Sequence, residues 1–137
     1  MCLPVAATSP FDRAKLSTVQ VTLKKQFFFE AAHFLPAVPA GHKCSRMHGH
    51  SYRVEVELVG PVDPATGWLV DFAVIDESWA VLQQRFDHHV LNEVQGLENP
   101  TCENLSVYIA EVMSKRVPHF AAVTVWETTD ACCTFRS

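Results

Sequence analysis

Residues 47–59 read MHGHSYRVEVELV, and apolar and polar side chains alternate along this stretch with a period of two. In an extended chain, successive side chains point to opposite sides. One side would therefore carry the apolar residues Tyr52, Val54, Val56 and Leu58. The other side would carry Arg53, Glu55 and Glu57. The pattern predicts a β-strand with one buried and one exposed face.

The segments on either side of this strand predict an α+β fold. Before it, residues 21–33 (VTLKKQFFFEAAH) favour a strand, and a Pro- and Gly-containing loop separates the two. After it, apolar residues spaced by three and four predict a helix at residues 72–86, and a second helix follows Thr101. Residues 120–128 predict a strand, and residues 134–136 the end of another. The order ββααββ predicts a four-stranded antiparallel sheet with two helices on one face. The free edges of such a sheet favour oligomerisation.

The length and composition predict one domain at residues 21–137, and the prolines and serines before it indicate a loosely ordered N-terminal extension at residues 1–20. The chain has 137 residues, of which 48% are hydrophobic and 19% charged, so it can build an ordinary packed core. A formal charge of −4 gives no support to a nucleic-acid-binding function. No apolar run approaches a membrane span, and the first residues do not form a signal peptide. Five cysteines, an odd number, favour a reduced, cytoplasmic setting.

Three histidines at strand ends predict a metal site. His48 and His50 leave a strand on the same side, and His33 ends the preceding strand. A hairpin would bring the three imidazoles together, and three imidazoles without a fourth protein ligand are typical of a catalytic zinc site with an open position. The alternative is that these are strand-end histidines exposed to solvent.

Cys44 lies in the loop before His48, between Lys43 and Arg46, two cations that favour its thiolate. A thiolate here could be a base, a nucleophile or a fourth metal ligand. The alternative is a small buried side chain, which is the usual state of a free cysteine.

Several acidic residues are further candidates, each with a structural alternative. Asp87 precedes His88 and His89 at the end of the first helix, where a carboxylate can orient an imidazole, or where histidines simply oppose the helix dipole. Glu127 shares a strand side with valines and would need a ligand there, unless the strand has already ended. Glu103 can stabilise the start of the second helix.

Five segments in unbroken order resemble the 6-pyruvoyltetrahydropterin synthase family over residues 22–137. The chain looks most similar to its bacterial 6-carboxytetrahydropterin synthase branch, which serves queuosine and other 7-deazapurine pathways. The segments are FFFEAAHFLPAVPAGHKCSRMHGHSYRVEVEL (27–58), DPATGWLVDF (63–72), FDHHVLN (86–92), GLENPTCENL (96–105) and WETTDACCTFR (126–136).

The resemblance implies a tunnelling fold and gives each candidate a role. Sheets of three subunits would join into a barrel, two trimers would stack into a homohexamer, and active sites would lie at subunit interfaces. The implied zinc ligands are His33, His48 and His50. The implied proton acceptor is Cys44, with Asp87 and His88 as relay partners from a neighbouring subunit. The implied pterin contacts are Glu127, which may also belong to the relay, Thr101 and Glu103, and the candidate triphosphate contacts are Lys43, Arg46 and Lys24. Cys102 departs from the family, which often has a hydroxyl residue at this position.

The implied reaction converts 7,8-dihydroneopterin triphosphate to 6-carboxy-5,6,7,8-tetrahydropterin and releases acetaldehyde and triphosphate. One alternative is the 6-pyruvoyl-forming enzyme, which only eliminates triphosphate. Three features argue against it: the loop spacing between Cys44 and His48, the presence of His89, and the sequence of residues 98–101. A second alternative is a zinc-binding subunit without catalysis, against which Cys44, His88 and Glu127 argue. A zinc hydrolase lacks the separate glutamate base of a His-Glu-x-x-His motif.

Overall fold

A long hairpin forms the centre of the sheet in the computed structural model, which describes residues 10–137. Strands β1 (Gln20–His33) and β2 (His48–Pro61) pair antiparallel along their whole length, with His33 opposite His48. The remaining elements are α1 (Phe72–Phe86), β3 (His89–Val90), α2 (Cys102–Ser114), β4 (Phe120–Trp126) and β5 (Cys132–Arg136). Short 3-10 helices lie at Arg13–Thr18, Lys43–Ser45 and Leu91–Glu93.

The sheet has five strands in the order β3-β1-β2-β4-β5, which corrects the predicted four-stranded antiparallel sheet. The additional strand, β3, pairs parallel with Ala31 and Ala32 of β1, so the sheet is mixed. A strand of two residues has no periodicity, and its pairing depends on where α1 returns the chain. The predicted α+β class is confirmed.

The alternation in β2 sets the position of the core. Its four apolar residues, Tyr52, Val54, Val56 and Leu58, are buried. The buried faces of α1 and α2 pack with them in one cluster, so both helices cover the same face of the sheet. The helices begin where side chains cap them: Asp71 accepts a hydrogen bond from the Ala73 amide, and Thr101 accepts one from the Asn104 amide.

The opposite face of the sheet has no helix on it in the described part of the chain. Lys24 and Gln26 both contact Glu55 there, at 3.3 and 2.9 Å. The guanidinium of Arg53 lies 4.0 Å from the ring centre of Trp126. Because β3 covers only two residues of β1, most of the outer edge of β1 has no strand partner within residues 10–137. The outer edge of β5 has none either.

The start of the chain differs in part from the sequence interpretation. Residues 1–9 of the predicted extension lie outside the described residues, and the 3-10 helix Arg13–Thr18 leads into β1 at Gln20. The loose order of residues 1–20, the barrel and the hexamer stay predictions. None of the helices in residues 10–137 has both the length and the apolar character required to cross a bilayer.

Candidate metal centre

The hairpin brings the three predicted metal ligands to one end of the sheet. His33 is the last residue of β1, and His48 and His50 are the first and third residues of β2. All three side chains lie on the helix-covered face, because they alternate in register with the buried Phe29 and Tyr52. His33 has no exposed surface.

The ring nitrogens converge with a carboxylate. Nε2 of His33 lies 3.0 Å from Nε2 of His48, and Nε2 of His50 lies 3.0 Å from Oε1 of Glu127. One ligand atom from each of these four residues lies within 4.8 Å of every other. Two nitrogens bound to one tetrahedral zinc ion would be about 3.4 Å apart, so the spacing fits a shared ion.

For two of the three histidines, a backbone carbonyl determines which ring nitrogen is available to a metal. Nδ1 of His33 donates to the carbonyl of Pro100 at 2.9 Å, and Nδ1 of His48 donates to the carbonyl of Arg46 at 2.7 Å. A carbonyl can only accept, so each Nδ1 carries the hydrogen and each Nε2 presents a lone pair. Histidines that ligate metals are held in the same way.

Two further properties of these side chains fit a metal site: the imidazoles are neutral, and one of their nitrogens has no hydrogen-bond partner in the described part of the chain. Burial lowers the pKa of His33 and His50, so both rings are neutral near pH 7. Nε2 of His50 is buried and has no hydrogen-bond partner within residues 10–137, although Oε1 of Glu127 lies 3.0 Å away. A buried polar atom without a partner is costly, and a bound cation would satisfy it.

Glu127 reaches this cluster from a turn rather than from a strand. The sequence interpretation extended the last long strand to residue 128, but β4 ends at Trp126. The amide of Glu127 donates to the carbonyl of Ala131, within the turn that leads to β5. Its side chain is 23% exposed and still points to the histidines, 3.7 Å from His33 Nε2. The same position suits a fourth metal ligand or an acceptor for a bound molecule.

Cys44 is half-buried in the 3-10 turn Lys43–Ser45. Its carbonyl accepts a hydrogen bond from the Leu35 amide at 2.8 Å, and its amide donates to His42 Nδ1. The loop is therefore fastened just beyond the ends of β1 and β2. Cys44 is not among the four residues whose ligand atoms converge, so the cluster gives no support to its role as a metal ligand.

Asp87 and His88 lie at the outer edge of β1, and His88 lines an open pocket with Ala32 of β1 and with Gly49 and His50 of β2. Oδ1 of Asp87 accepts a hydrogen bond from the Glu30 amide at 2.9 Å and lies 3.1 Å from His88 Nδ1. These contacts, with the Glu30 bond first, lower the pKa of Asp87. His88 has a left-handed backbone (φ 59°), and its side chain is 79% exposed.

The start of α2 lies beside the metal cluster. Pro100, which bonds His33, precedes Thr101, whose hydroxyl caps the helix. The Cys102 thiol donates to the Val125 carbonyl, and burial raises its pKa to about 12. Glu103 is exposed in the first turn, and Lys43 and Arg46 are exposed in the loop.

Two contacts of His33 were missed by the sequence interpretation. The hydroxyl of Tyr52 lies 3.2 Å from His33 Nδ1, and Pro100 supplies the carbonyl described above. Tyr52 follows His50 by two residues and so shares its side of the strand, a signal that was available. No sequence signal pointed to the Pro100 carbonyl, because it comes from a residue 67 positions away.

The comparisons with known proteins agree with this geometry. Residues 22–137 match the family described as 6-pyruvoyl tetrahydropterin synthase. The 6-carboxy-5,6,7,8-tetrahydropterin synthase of Synechocystis is 37% identical over 76% of this chain and 84% of its own length. The Bacillus subtilis protein of that name is 31% identical over 83% of this chain and 84% of its own. The structure of Caenorhabditis elegans 6-pyruvoyl tetrahydropterin synthase aligns with a TM-score of 0.81 and 27% identity, over 87% of this chain and 96% of that one.

Proposed function

This chain belongs to the 6-pyruvoyl tetrahydropterin synthase family, and we propose that it is a zinc-dependent 6-carboxytetrahydropterin synthase. Its substrates are 7,8-dihydroneopterin triphosphate and one water molecule, and its products are 6-carboxy-5,6,7,8-tetrahydropterin, acetaldehyde and triphosphate. The branch is supported by identities of 37% and 31% to two relatives of that name. The proposed setting is queuosine or 7-deazapurine synthesis in the cytoplasm.

One observation carries the proposal: the Nε2 atoms of His33, His48 and His50 converge with the carboxylate of Glu127. The carbonyl bonds at His33 and His48 leave these atoms as lone-pair donors. His33, His48 and His50 would hold a zinc ion, which would supply the Lewis acidity that makes a substrate hydroxyl and its neighbouring carbon more acidic.

The other residues handle protons and position the substrate. The Cys44 thiolate takes the proton from the side-chain carbon beside the pterin ring. Asp87 accepts from His88 Nδ1, which leaves Nε2 of His88 free to take up and return hydroxyl protons. Glu127 accepts the parallel N–H donors of the pterin edge, near Thr101 and Glu103. Lys43, Arg46 and Lys24 are the cations proposed for the triphosphate. The pterin ring is reduced by the same number of electrons that the side chain loses, so no redox cofactor is needed.

The exposure of His88 supports a site shared between subunits. Its side chain is 79% exposed at the outer edge of β1 and lines an open pocket there, where another copy could lie. We therefore propose that each site combines the histidines and Cys44 of one subunit with Asp87 and His88 of another. A hexamer of two stacked trimers would provide such contacts.

The proposal is tested by metal analysis of the purified protein together with product identification. We expect one zinc per chain, and acetaldehyde with the carboxy product from 7,8-dihydroneopterin triphosphate. Triphosphate release without acetaldehyde would instead identify the 6-pyruvoyl-forming reaction. Bound zinc with no product would identify a non-catalytic subunit, and protein that cannot bind zinc would exclude the proposed site.

A further inference from the structure

We infer that Tyr52 is a positioning residue for the metal site, acting through the imidazoles of His33 and His50. The inference rests on the proposed function only in that it requires the histidine cluster to bind a metal. It concerns a residue of the sheet that the proposed reaction does not use.

The ring of Tyr52 contacts two of the three imidazoles. It lies nearly perpendicular to His33, with ring centres 6.0 Å apart, and to His50, with ring centres 5.6 Å apart. On its other side it stacks on Phe29, at 4.8 Å and an interplanar angle of 10°. Only 1% of Tyr52 is exposed, so this aromatic stack is fixed in the core. A fixed ring against both imidazoles limits their rotation.

The hydroxyl of Tyr52 adds a polar contact to the imidazole of His33. Its oxygen lies 3.2 Å from His33 Nδ1, and the Pro100 carbonyl lies 2.9 Å from that nitrogen. Since the carbonyl requires a hydrogen on Nδ1, the hydroxyl oxygen shares this hydrogen as a second acceptor. The two acceptors lie on different elements, β2 and the segment before α2, and together they direct Nε2 of His33 into the cluster.

If Tyr52 were only a core residue with no influence on the metal, a different result would be expected. The site would then need only an aromatic ring of the right size, and removing the oxygen would leave metal affinity unchanged. Partners that orient a metal-ligating histidine, by contrast, typically change affinity by about 10- to 100-fold when they are removed. Because Pro100 remains in place, we expect the lower end of this range.

The test compares Tyr52→Phe with Tyr108→Phe. These are the two tyrosines of the chain, and the hydroxyl of Tyr108 bonds Arg85 at 2.9 Å on the helical side, away from the cluster. Each full-length protein is stripped of metal and titrated with zinc against a chromophoric chelator. Each is also loaded with Co²⁺ to record the visible spectrum, and melting temperatures are measured without metal.

We expect Tyr52→Phe to bind zinc about tenfold more weakly than the wild type and to show a shifted Co²⁺ spectrum. Tyr108→Phe should match the wild type in both measurements. Unchanged zinc affinity in Tyr52→Phe overturns the inference, and a lower melting temperature with unchanged affinity assigns a packing role only. If the wild type itself fails to bind zinc, the proposed metal site fails, which is a distinct result.

Discussion

A histidine can offer either ring nitrogen to a metal, and here the backbone makes the choice for two of them. Carbonyls of Pro100 and Arg46 occupy the Nδ1 atoms of His33 and His48, so the Nε2 atoms face each other. At the scale of the residue, the remaining question is what the neighbouring side chains contribute. Three substitutions answer it separately.

Cys44→Ala should keep the fold and the zinc but lose turnover. If the thiolate is the proton acceptor, kcat should fall by about 100-fold or more, because proton transfer by a positioned group contributes a factor of this size. Steady-state kinetics and zinc content measured on the same sample check this. Cys132→Ala, at an exposed cysteine of β5, is the matched control and should remain active. Near-full activity in Cys44→Ala would remove it from the mechanism.

Glu127→Gln separates the two uses of its carboxylate. As a pterin anchor, it should raise KM by about 10- to 100-fold, since hydrogen bonds to a charged group are lost, and leave zinc affinity unchanged. As a metal ligand, it should instead weaken zinc binding. Chelator competition and kinetics distinguish the outcomes. Glu111→Gln, at an exposed glutamate of α2, should alter neither measurement.

Asp87 should stabilise the fold in a pH-dependent way. The Glu30 amide and His88 lower the pKa of this carboxyl, so its contribution is present above the ordinary aspartate range. The contribution is lost as the pH falls through the lowered pKa. Urea unfolding should therefore show Asp87→Asn to be less stable than the wild type near neutral pH, with the difference shrinking in acid. A difference that persists or grows in acid would contradict this, and Glu93→Gln serves as an exposed control.

At the scale of the element, local patterns predicted most of the structure. The alternation in β2 and the three- and four-residue spacing in α1 both reflect burial on one side, and both elements lie where expected. β3 was missed because two residues carry no pattern, and its pairing is set by the path of the chain after α1. β4 was predicted two residues too long. Glu127 points inward as a strand residue would, but it does so from a turn, and the alternation of side chains cannot distinguish the two. The convergence of the histidines followed from the hairpin, whereas the hydrogen bond from His33 to the Pro100 carbonyl could not be predicted.

The start of α2 gives a prediction about stability. Thr101→Ala should lower the free energy of unfolding by about 1 kcal/mol, because the Asn104 amide loses its acceptor. Thr101→Ser keeps a hydroxyl and should retain most of the stability. Chemical denaturation of the metal-free proteins measures both. Equal destabilisation by the two variants would show that the methyl group, rather than the cap, matters.

At the scale of the whole molecule, one subunit places its candidate groups along both edges of β1. The histidines lie on the helix-covered face between β1 and β2, and Asp87 and His88 lie at the opposite edge of β1. His88 and His50 line the same open pocket, yet 79% of the His88 side chain is exposed, so its imidazole can also face another copy. This arrangement is expected if neighbouring copies complete each other's sites.

Mixing two inactive variants tests whether sites are shared. Cys44→Ala and His88→Ala should each be inactive alone, whereas mixed oligomers contain sites with one intact residue from each subunit. After unfolding and refolding together in equal amounts, about one quarter of the wild-type activity should return, as expected for random assembly. Refolded wild type sets the reference. No recovery in oligomers shown by mass to be mixed would place both residues in the same subunit's site.

The bond between His33 and Pro100 has a consequence for the chain as a whole. It joins the end of β1 to the residue before the α2 cap, across 67 positions of sequence. If metal binding at His33 stabilises the start of α2, an intact start of α2 must strengthen metal binding by the same coupling free energy, since linkage is reciprocal. Binding of a metal ion would thus also stabilise the start of α2, and loosening of α2 would weaken metal binding. We therefore expect metal retention and the stability of α2 to vary together.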